Sequence, residues 1–290
     1  MESLLSTIVS ILFHGTAYAM ILYIVSVGLS VTMGLMGFAN LAHGVFAMAG
    51  GYVTVTLMNS YGVPFALSLA AACVVVALAS VVLERMLYAR LYSAGELEQV
   101  LFTIGLIFMA TAAAKFVWGP LPQRMTVPDI FRQEFDVGAV TFPAYRAFIL
   151  VSGFAIVIAL WLAIERTNFG ARIRAAVDNR RMAQSLGINT GRLFTWTFAL
   201  GSGLAALGGG LGAEILAINP GYAFEHLVYF LIVVAVGGLG SIRGPFFAAL
   251  LLGISDFACK YLIPEFGAFF IYVATFALLL WRPAGLFGRA

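Results

Sequence analysis

Apolar positions dominate the first third of the chain, where no charged residue occurs between Glu2 and Glu84. Backbone inside a bilayer must satisfy its own hydrogen bonds, so uncharged apolar runs of about 20 residues predict membrane-spanning helices. The strands of a membrane barrel would instead alternate in polarity over about 10 residues, and a long run such as Phe65–Leu83 does not alternate. The pattern predicts an all-α, polytopic membrane protein.

Turn signals rich in Gly, Pro and Asn separate further apolar runs along the rest of the chain. We predict nine crossings, with eight or ten as alternatives, at residues 8–33, 40–58, 64–83, 99–118, 145–164, 193–216, 226–237, 244–259 and 266–281. The run 226–237 is short and could be re-entrant, but a crossing that ends early keeps the chain end on the arginine-rich side. The polar stretches are too short for a soluble domain, so we expect a single transmembrane domain over residues 1–290.

The N-terminal segment also has features of a signal peptide, because Leu4–Phe13 is followed by Ala17-Tyr18-Ala19. It has no basic residue before the apolar run, and the run continues past the cleavage-like site. We interpret the segment as the first span rather than as a cleaved leader.

Arginines indicate which connections face the cytoplasm, because Lys and Arg are enriched on that side of a membrane. The stretch 165–192 carries Arg166, Arg172, Arg174, Arg180, Arg181 and Arg192. It is therefore predicted to be cytoplasmic, and Arg85, Arg90, Arg282 and Arg289 fall on the same side by the count of crossings. The stretch 119–144 and the N-terminus are then predicted to lie outside.

Composition agrees with this assignment and excludes other classes. Hydrophobic residues make up 62% of the chain and charged residues 10%, against about 25% charged in soluble domains. The net charge of +3 is too small to suggest nucleic-acid binding. Cys73 and Cys259 lie inside apolar runs and are interpreted as packed side chains rather than as a disulfide.

Signatures of catalysis and metal binding are missing from the sequence. His14, His43 and His226 have no cysteine, carboxylate or second histidine at ligand spacing, so no metal site is expected. Neither G-x-S-x-G nor the Walker A pattern G-x-x-x-x-G-K-[ST] occurs. The chain is therefore not expected to be an enzyme or to hydrolyse ATP itself.

Two glycine breaks interrupt apolar runs in the two halves of the chain. The first contains Gly34 and Gly37, and the second contains Gly237, Gly238 and Gly240. Paired breaks of this kind are typical of transporters whose substrate site lies at the interface of two repeats. Glycine serves equally for close packing of membrane helices, and the pattern alone does not choose between these interpretations.

Asn40 and His43 are conspicuous because the surrounding spans are nearly free of polar groups. At positions i and i+3 they share one helical face, and polar groups at membrane depth usually face a bundle interior or a cavity. Together with Gly44 they are predicted to line or support a translocation path. The alternative is that both side chains cap backbone exposed at the first glycine break.

The cytoplasmic stretch 166–192 combines its charges with a partial apolar face and a stop signal at Gly187 and Asn189. The face is predicted to contain Ile173, Ala176, Val177, Ala183 and Leu186, with Arg180 interrupting it. A solvated loop that only sets topology needs no apolar face. The pattern therefore favours a docking surface for a cytoplasmic partner.

Five blocks resemble, in order, the H-type permease of branched-chain amino acid ABC importers. The N-terminal signature is Gly28–Gly34 continued by Asn40–Phe46, and the others are Leu101–Leu106, Ser185–Thr190, Asn219-Pro220 and Val236–Pro245. The resemblance extends from about residue 15 to residue 285.

This resemblance implies an importer subunit that works by alternating access in a bacterial inner membrane. Its implied partners are a second permease forming a hetero-dimer, two cytoplasmic ATP-binding subunits and a periplasmic substrate-binding protein. ATP would be used by those partners, with no cofactor bound by this chain. The implied ATPase-coupling residues are Arg172, Arg174, Ala176, Asp178, Arg180, Leu186, Gly187 and Ile188.

The substrate is less defined, because relatives of this fold import branched-chain amino acids, urea or short amides, or aromatic acids. We expect branched-chain or other hydrophobic amino acids, with the remaining classes as alternatives. We expect no charged residue in the core of the spans to bind an amino acid's carboxylate or ammonium. A stand-alone channel or secondary transporter fits the glycine breaks equally well, whereas an intramembrane enzyme would need clustered polar groups.

Overall fold

The structure is a computed structural model and describes residues 2–38, 40–92, 94–137 and 140–287. Helices dominate this part of the chain: α1 (Glu2–Met36), α2 (His43–Tyr61), α3 (Phe65–Met86), α4 (Glu96–Trp118), α5 (Ala144–Arg166), α6 (Asn168–Asp178), α7 (Arg180–Ser185), α8 (Thr190–Gly212), α9 (Tyr222–Gly237), α10 (Arg243–Leu262) and α11 (Pro264–Trp281). Short 3-10 turns occur at Tyr88–Leu91 and Asp129–Phe131. Between α4 and α5, strands β1 (Glu134–Val137) and β2 (Val140–Pro143) form an antiparallel hairpin that the apolar pattern did not predict.

Local sequence signals explain where several of these helices begin and end. Gly62 adopts φ 63° after α2, and its N–H donates to the Met58 carbonyl, which is the usual glycine stop of a helix. The side chains of Asn179 and Asn189 cap α7 and α8 by accepting from backbone N–H groups in the first turn. Pro264 is the first residue of α11, where a missing N–H costs nothing.

The predicted fold class, an all-α polytopic membrane protein, is confirmed. Among the described residues, five helices are long and apolar enough to cross a membrane, namely α1, α3, α4, α5 and α10. Each of the other four predicted crossings also lies largely within a helix: α2 and α8 are long but glycine-rich, whereas α9 and the apolar part of α11 are shorter. The short segment predicted at 226–237 belongs to the 16-residue helix α9.

Helix α1 lies at the centre of the bundle. Every residue from 19 to 32 is buried, and this stretch is apolar on nearly all sides. Helices α5, α8, α9 and α10 surround it. A helix that is apolar on all sides is stable only when it is enclosed by other helices or by lipid. In contrast, α4 exposes Leu101, Phe108 and Phe116 on its outer surface, as expected for a lipid-facing helix.

The two ends of the bundle differ in charge. One end, which we call the basic end, brings together α6, α7, the end of α5 and the start of α10, where Arg243 and Arg174 both approach Glu165. The end of α1 also lies there, because Gly34 contacts Gly240. At the opposite end, the loop after α4 pairs with the segment before α9 through Gln123 and Ile218. The grouping of arginines at one end agrees with the count of crossings, although Arg289 lies outside the described residues, and the cytoplasmic side stays a prediction.

Glycines allow the central helices to approach at backbone distance. Gly28 on α1 faces Gly201 on α8, and Gly209 on α8 faces the Ala47 carbonyl on α2. Small residues at such crossings let helices pack through backbone contacts where lipid provides no hydrophobic driving force. Close packing is therefore one purpose of the glycines in this chain.

We expect Gly209→Ala to destabilise the protein, because the added methyl group would overlap the Ala47 carbonyl oxygen. Overpacking of this kind costs about 1–3 kcal/mol. The matched control is Gly105→Ala on α4, where nothing lies within 4 Å of the new methyl group. The midpoint of thermal unfolding of the purified protein in detergent should fall for the first variant and not for the second. Equal midpoints would contradict the close contact between α2 and α8.

Candidate functional site

The two glycine breaks lie against each other at the basic end. A Cβ on Gly34 would overlap Gly240, the Gly240 N–H donates to the Ser30 carbonyl at 3.0 Å, and the Ser30 hydroxyl donates to the Ser241 carbonyl at 2.9 Å. Gly37, Gly238 and Gly240 have positive φ angles of 61°, 97° and 76°, which glycine adopts readily. Gly237 packs against Gly244 at the start of α10. The breaks thus combine tight turns with direct packing of one break on the other.

Asn40 and His43 are both buried where the chain turns back beside α1. The His43 Nε2 atom lies 3.1 Å from the Val25 carbonyl oxygen, and because a carbonyl only accepts, this nitrogen donates. Val25 precedes the end of α1 by about three helical turns, or about 16 Å. The start of α2 therefore reaches well inside the bundle, where Gly44 contacts Ala223 at the start of α9.

Asn40 is joined to a buried aromatic cluster. Its Oδ1 atom accepts a hydrogen bond from the Tyr88 hydroxyl at 3.1 Å, while its Nδ2 atom has no partner among the described residues. The Tyr88 ring contacts Phe38, Phe102 and Phe198 at centroid distances of 5.3, 5.2 and 4.9 Å. The cluster connects the segment after α1 to α4 and α8. The side-chain hydrogen bonds of Asn40 and His43 go to Tyr88 and to Val25, and neither caps backbone at the first glycine break.

Glu84 is a buried carboxylate that the sequence reasoning did not single out. Its two oxygens accept hydrogen bonds from the Tyr92 hydroxyl at 2.5 Å and from the Thr195 hydroxyl at 2.9 Å. Burial and the neighbouring carboxylate raise the pKa of Tyr92, so its hydroxyl keeps the proton that it donates. Glu84 therefore ties the end of α3 to the start of α8 and to the turn before α4.

A second buried carboxylate, Asp256 on α10, is fully enclosed and lies 2.6 Å from the Lys260 ammonium. The expectation that the spans contain no charged core residue is therefore wrong. The i, i+4 spacing of Asp256 and Lys260 could have indicated an ion pair from the sequence. Thr195 follows Glu84 by 111 residues, so only the fold brings those two together.

Among the described residues, no group of three or more His, Cys, Asp or Glu side chains is placed to hold a metal ion.

The arginine-rich segment forms two short helices rather than one. Asn179 adopts an extended conformation between α6 and α7 and caps α7. Ile173, Ala176 and Ala183 of the predicted apolar face are buried, but Val177 is partly exposed and Leu186 is 74% exposed. The residues of the predicted face are therefore divided between buried positions and the exposed Leu186, and the docking role of the face stays a prediction.

The remaining predicted coupling residues divide between the two helices. Arg174 donates to the Ile164 carbonyl and lies 4.0 Å from Glu165, which anchors α6 to α5. The Arg180 guanidinium lies 4.5 Å from the centre of the Phe194 ring on α8. Arg172 and Asp178 are exposed on α6.

Leu186, Gly187 and Ile188 form the turn between α7 and α8. Gly187 adopts φ 83°, and a Cβ there would meet nothing within 4 Å. A groove of about 520 Å³ lies beside this turn, and Arg172, Leu186 and Arg192 contribute to its wall. An exposed leucine between arginines gives the basic end an apolar contact point surrounded by positive charge.

Buried helices broken by glycine, together with five helices long and apolar enough to cross a membrane among the described residues, place the chain in the class of multi-pass membrane proteins. The family model described as the branched-chain amino acid transport system permease component matches residues 11–279. The chain belongs to this family, as the sequence blocks suggested.

Curated relatives match along nearly the whole chain. The high-affinity branched-chain amino acid transport system permease protein BraD of Pseudomonas aeruginosa is 29% identical, over 95% of this chain and 92% of its own. The corresponding permease protein LivH of Escherichia coli K12 is 27% identical, over 96% and 94%. The permease protein LivM of the same organism is 26% identical, over 92% and 68%. No solved structure matches the chain at a significant level.

Proposed function

We propose that this chain is a permease subunit of an ATP-driven importer of branched-chain or other hydrophobic amino acids. The observation that carries the proposal is the match to the permease family over residues 11–279. BraD and LivH, which align over more than nine tenths of both chains, are named as branched-chain amino acid permeases. These names favour amino acids over the urea, amide and aromatic-acid alternatives.

The importer would contain a second permease, two cytoplasmic ATP-binding subunits and a periplasmic binding protein, in a bacterial inner membrane. Similarity to both LivH and LivM of one organism supports a hetero-dimer of related permeases. ATP would be bound by the partner subunits and no cofactor by this chain.

The turn Leu186–Ile188 would receive the ATP-binding subunit at the basic end. Its apolar tip is exposed beside the groove that Arg172 and Arg192 line, so a complementary surface would be apolar at its centre and acidic at its rim. Movement of the turn would pass to α5 through Arg174 and to α8 through Arg180. Ala176 is buried and would hold α6 in place rather than touch the partner.

Asn40 and His43 would support the path and set its inner boundary. Their hydrogen bonds to Tyr88 and to the Val25 carbonyl hold the start of α2 between α1 and the aromatic cluster. A shift of α8 that moves Phe198 would be transmitted to Asn40 through Tyr88. Solute would then pass between the two permeases near the glycine breaks as access alternates.

The importer assembled with all of its partners in proteoliposomes should take up L-leucine only when ATP is present on the side of the ATP-binding subunits. The same vesicles with a hydrolysis-deficient ATP-binding subunit are the control and should show no uptake. Leucine uptake by this chain reconstituted alone would overturn the proposal in favour of a channel or secondary transporter.

Gly187→Val should reduce uptake by about tenfold or more while the subunits still co-purify, because a β-branched residue is strained at φ 83° and would redirect Leu186. Gly187→Asn is the matched control, since asparagine tolerates the left-handed conformation. It should retain most of the uptake. Normal uptake by the valine variant would remove Gly187 from the coupling step.

Alanine at Asn40 or His43 should lower leucine uptake more than it lowers the yield of assembled importer. Each change removes one buried hydrogen bond, a loss of about 1–3 kcal/mol when a partner is left unsatisfied. Ser255→Ala is the control, because it removes a side-chain hydrogen bond that lies within one helix and joins no two helices. Equal losses of uptake and assembly would indicate a purely structural role for the pair.

A further inference from the structure

Asp256 and Lys260 form a charged pair near the end of α10 that lies farthest from the basic end. The Asp256 side chain is 0% exposed and the Lys260 side chain is 44% exposed. Their 2.6 Å ion pair uses one carboxylate oxygen, Oδ2. The other oxygen, Oδ1, is buried and has no partner among the described residues. The pair thus extends from the enclosed interior to the surface.

Tyrosines from three other helices surround the pair. The Lys260 ammonium lies 5.9 Å from the ring of Tyr18 on α1 and 5.6 Å from the ring of Tyr229 on α9. Tyr272 on α11 lies beside Tyr229, with ring centroids 6.5 Å apart. The site thus offers an unused carboxylate oxygen, Oδ1 of Asp256, beside the Lys260 ammonium and the tyrosine rings.

Unused polar atoms at this depth are costly, and membrane proteins retain them mainly where they serve a solute or a relay. Of amino acids, urea and aromatic acids, the zwitterionic amino acid is the solute that can replace the ion pair without leaving a net charge. Its ammonium would pair with Asp256 and its carboxylate with Lys260, so one internal pair becomes two external ones. Urea carries no charge, and an aromatic acid, which lacks an ammonium, would leave Asp256 unpaired.

We propose that Asp256 and Lys260 are the groups that receive the ammonium and carboxylate of an amino acid as it enters this permease, with Tyr18 and Tyr229 bordering the site. The inference rests on the proposed import function and names the chemical class of its solute. Lys260 is the exposed member and would be met first by solute arriving at the end opposite the basic end. Asp256 would then take the ammonium as the solute moves inward.

The decisive variant is the double neutral substitution Asp256→Asn with Lys260→Gln in the assembled importer. Replacing both members leaves no protein charge buried without its partner, which is the costly outcome, so assembly and ATP hydrolysis should persist. L-leucine uptake should fall by about tenfold or more, because the ammonium and carboxylate of leucine would then lack charged partners in the site. Ser255→Ala on the same helix should leave uptake unchanged.

Three results are informative. Wild-type importer without leucine uptake would refute the proposed function itself, whatever the variant does. Wild-type uptake together with undiminished uptake by the double variant would overturn the pair's role and leave the proposed function intact. Loss of uptake with retained assembly supports the pair as the solute site.

A measurement on the wild-type complex of the two permeases and the ATP-binding subunits, purified without the binding protein, covers the case in which the double variant does not assemble. L-leucine should raise its thermal unfolding midpoint in detergent, because a ligand bound only to the folded state stabilises that state. The control ligands are 3-methylbutylamine, which keeps only the ammonium, and 4-methylpentanoate, which keeps only the carboxylate. Neither should match the effect of leucine at equal concentration. An equal shift with either control, or no shift with leucine, would overturn the proposal.

Discussion

Backbone polar groups inside a bilayer must find partners within the protein, and this requirement governs the junction of the two glycine breaks. A helix interrupted by glycine leaves such groups free, so each break needs a neighbour that can supply hydrogen bonds at close range. Here α1 supplies these partners to the second break, because the Ser30 carbonyl accepts from the Gly240 N–H and the Ser30 hydroxyl donates to the Ser241 carbonyl. Side chains larger than hydrogen at Gly34 would separate them. The two halves of the chain are thereby joined at the basic end.

Of the two interpretations of glycine that the sequence left open, this junction supports close packing, and a substrate site at the breaks stays a prediction. Gly34 and Gly237 are packing residues that bring backbones into contact, whereas Gly37, Gly238 and Gly240 supply turns with positive φ. A break is tolerated at this depth only because it is covered by protein. Close packing and helix interruption are therefore two parts of one arrangement, and a translocation path near it would be bordered by backbone as well as by side chains.

The fold class, the order of the helices and the arginine-rich end were predictable, because they depend on runs of residues that are adjacent in the sequence. The outer hairpin and the bend at Asn179 were missed, since each depends on a few residues in an otherwise uninformative stretch. The burial of Glu84 was not predictable, because its partner Thr195 comes from a distant helix. Asp256 was overlooked, although its spacing from Lys260 indicated a pair on one helical face.

The buried Glu84 carboxylate limits how the helices around it can move. Separating Glu84 from both Tyr92 and Thr195 would leave a buried carboxylate without its hydrogen-bond partners, which costs several kcal/mol. The end of α3, the turn before α4 and the start of α8 should therefore move as one body when α7 is displaced. The Tyr88–Asn40 hydrogen bond and the His43–Val25 hydrogen bond link that body to the start of α2 and to α1. Motion that begins at the basic end would thus reach the start of α2 through Tyr88 and Asn40.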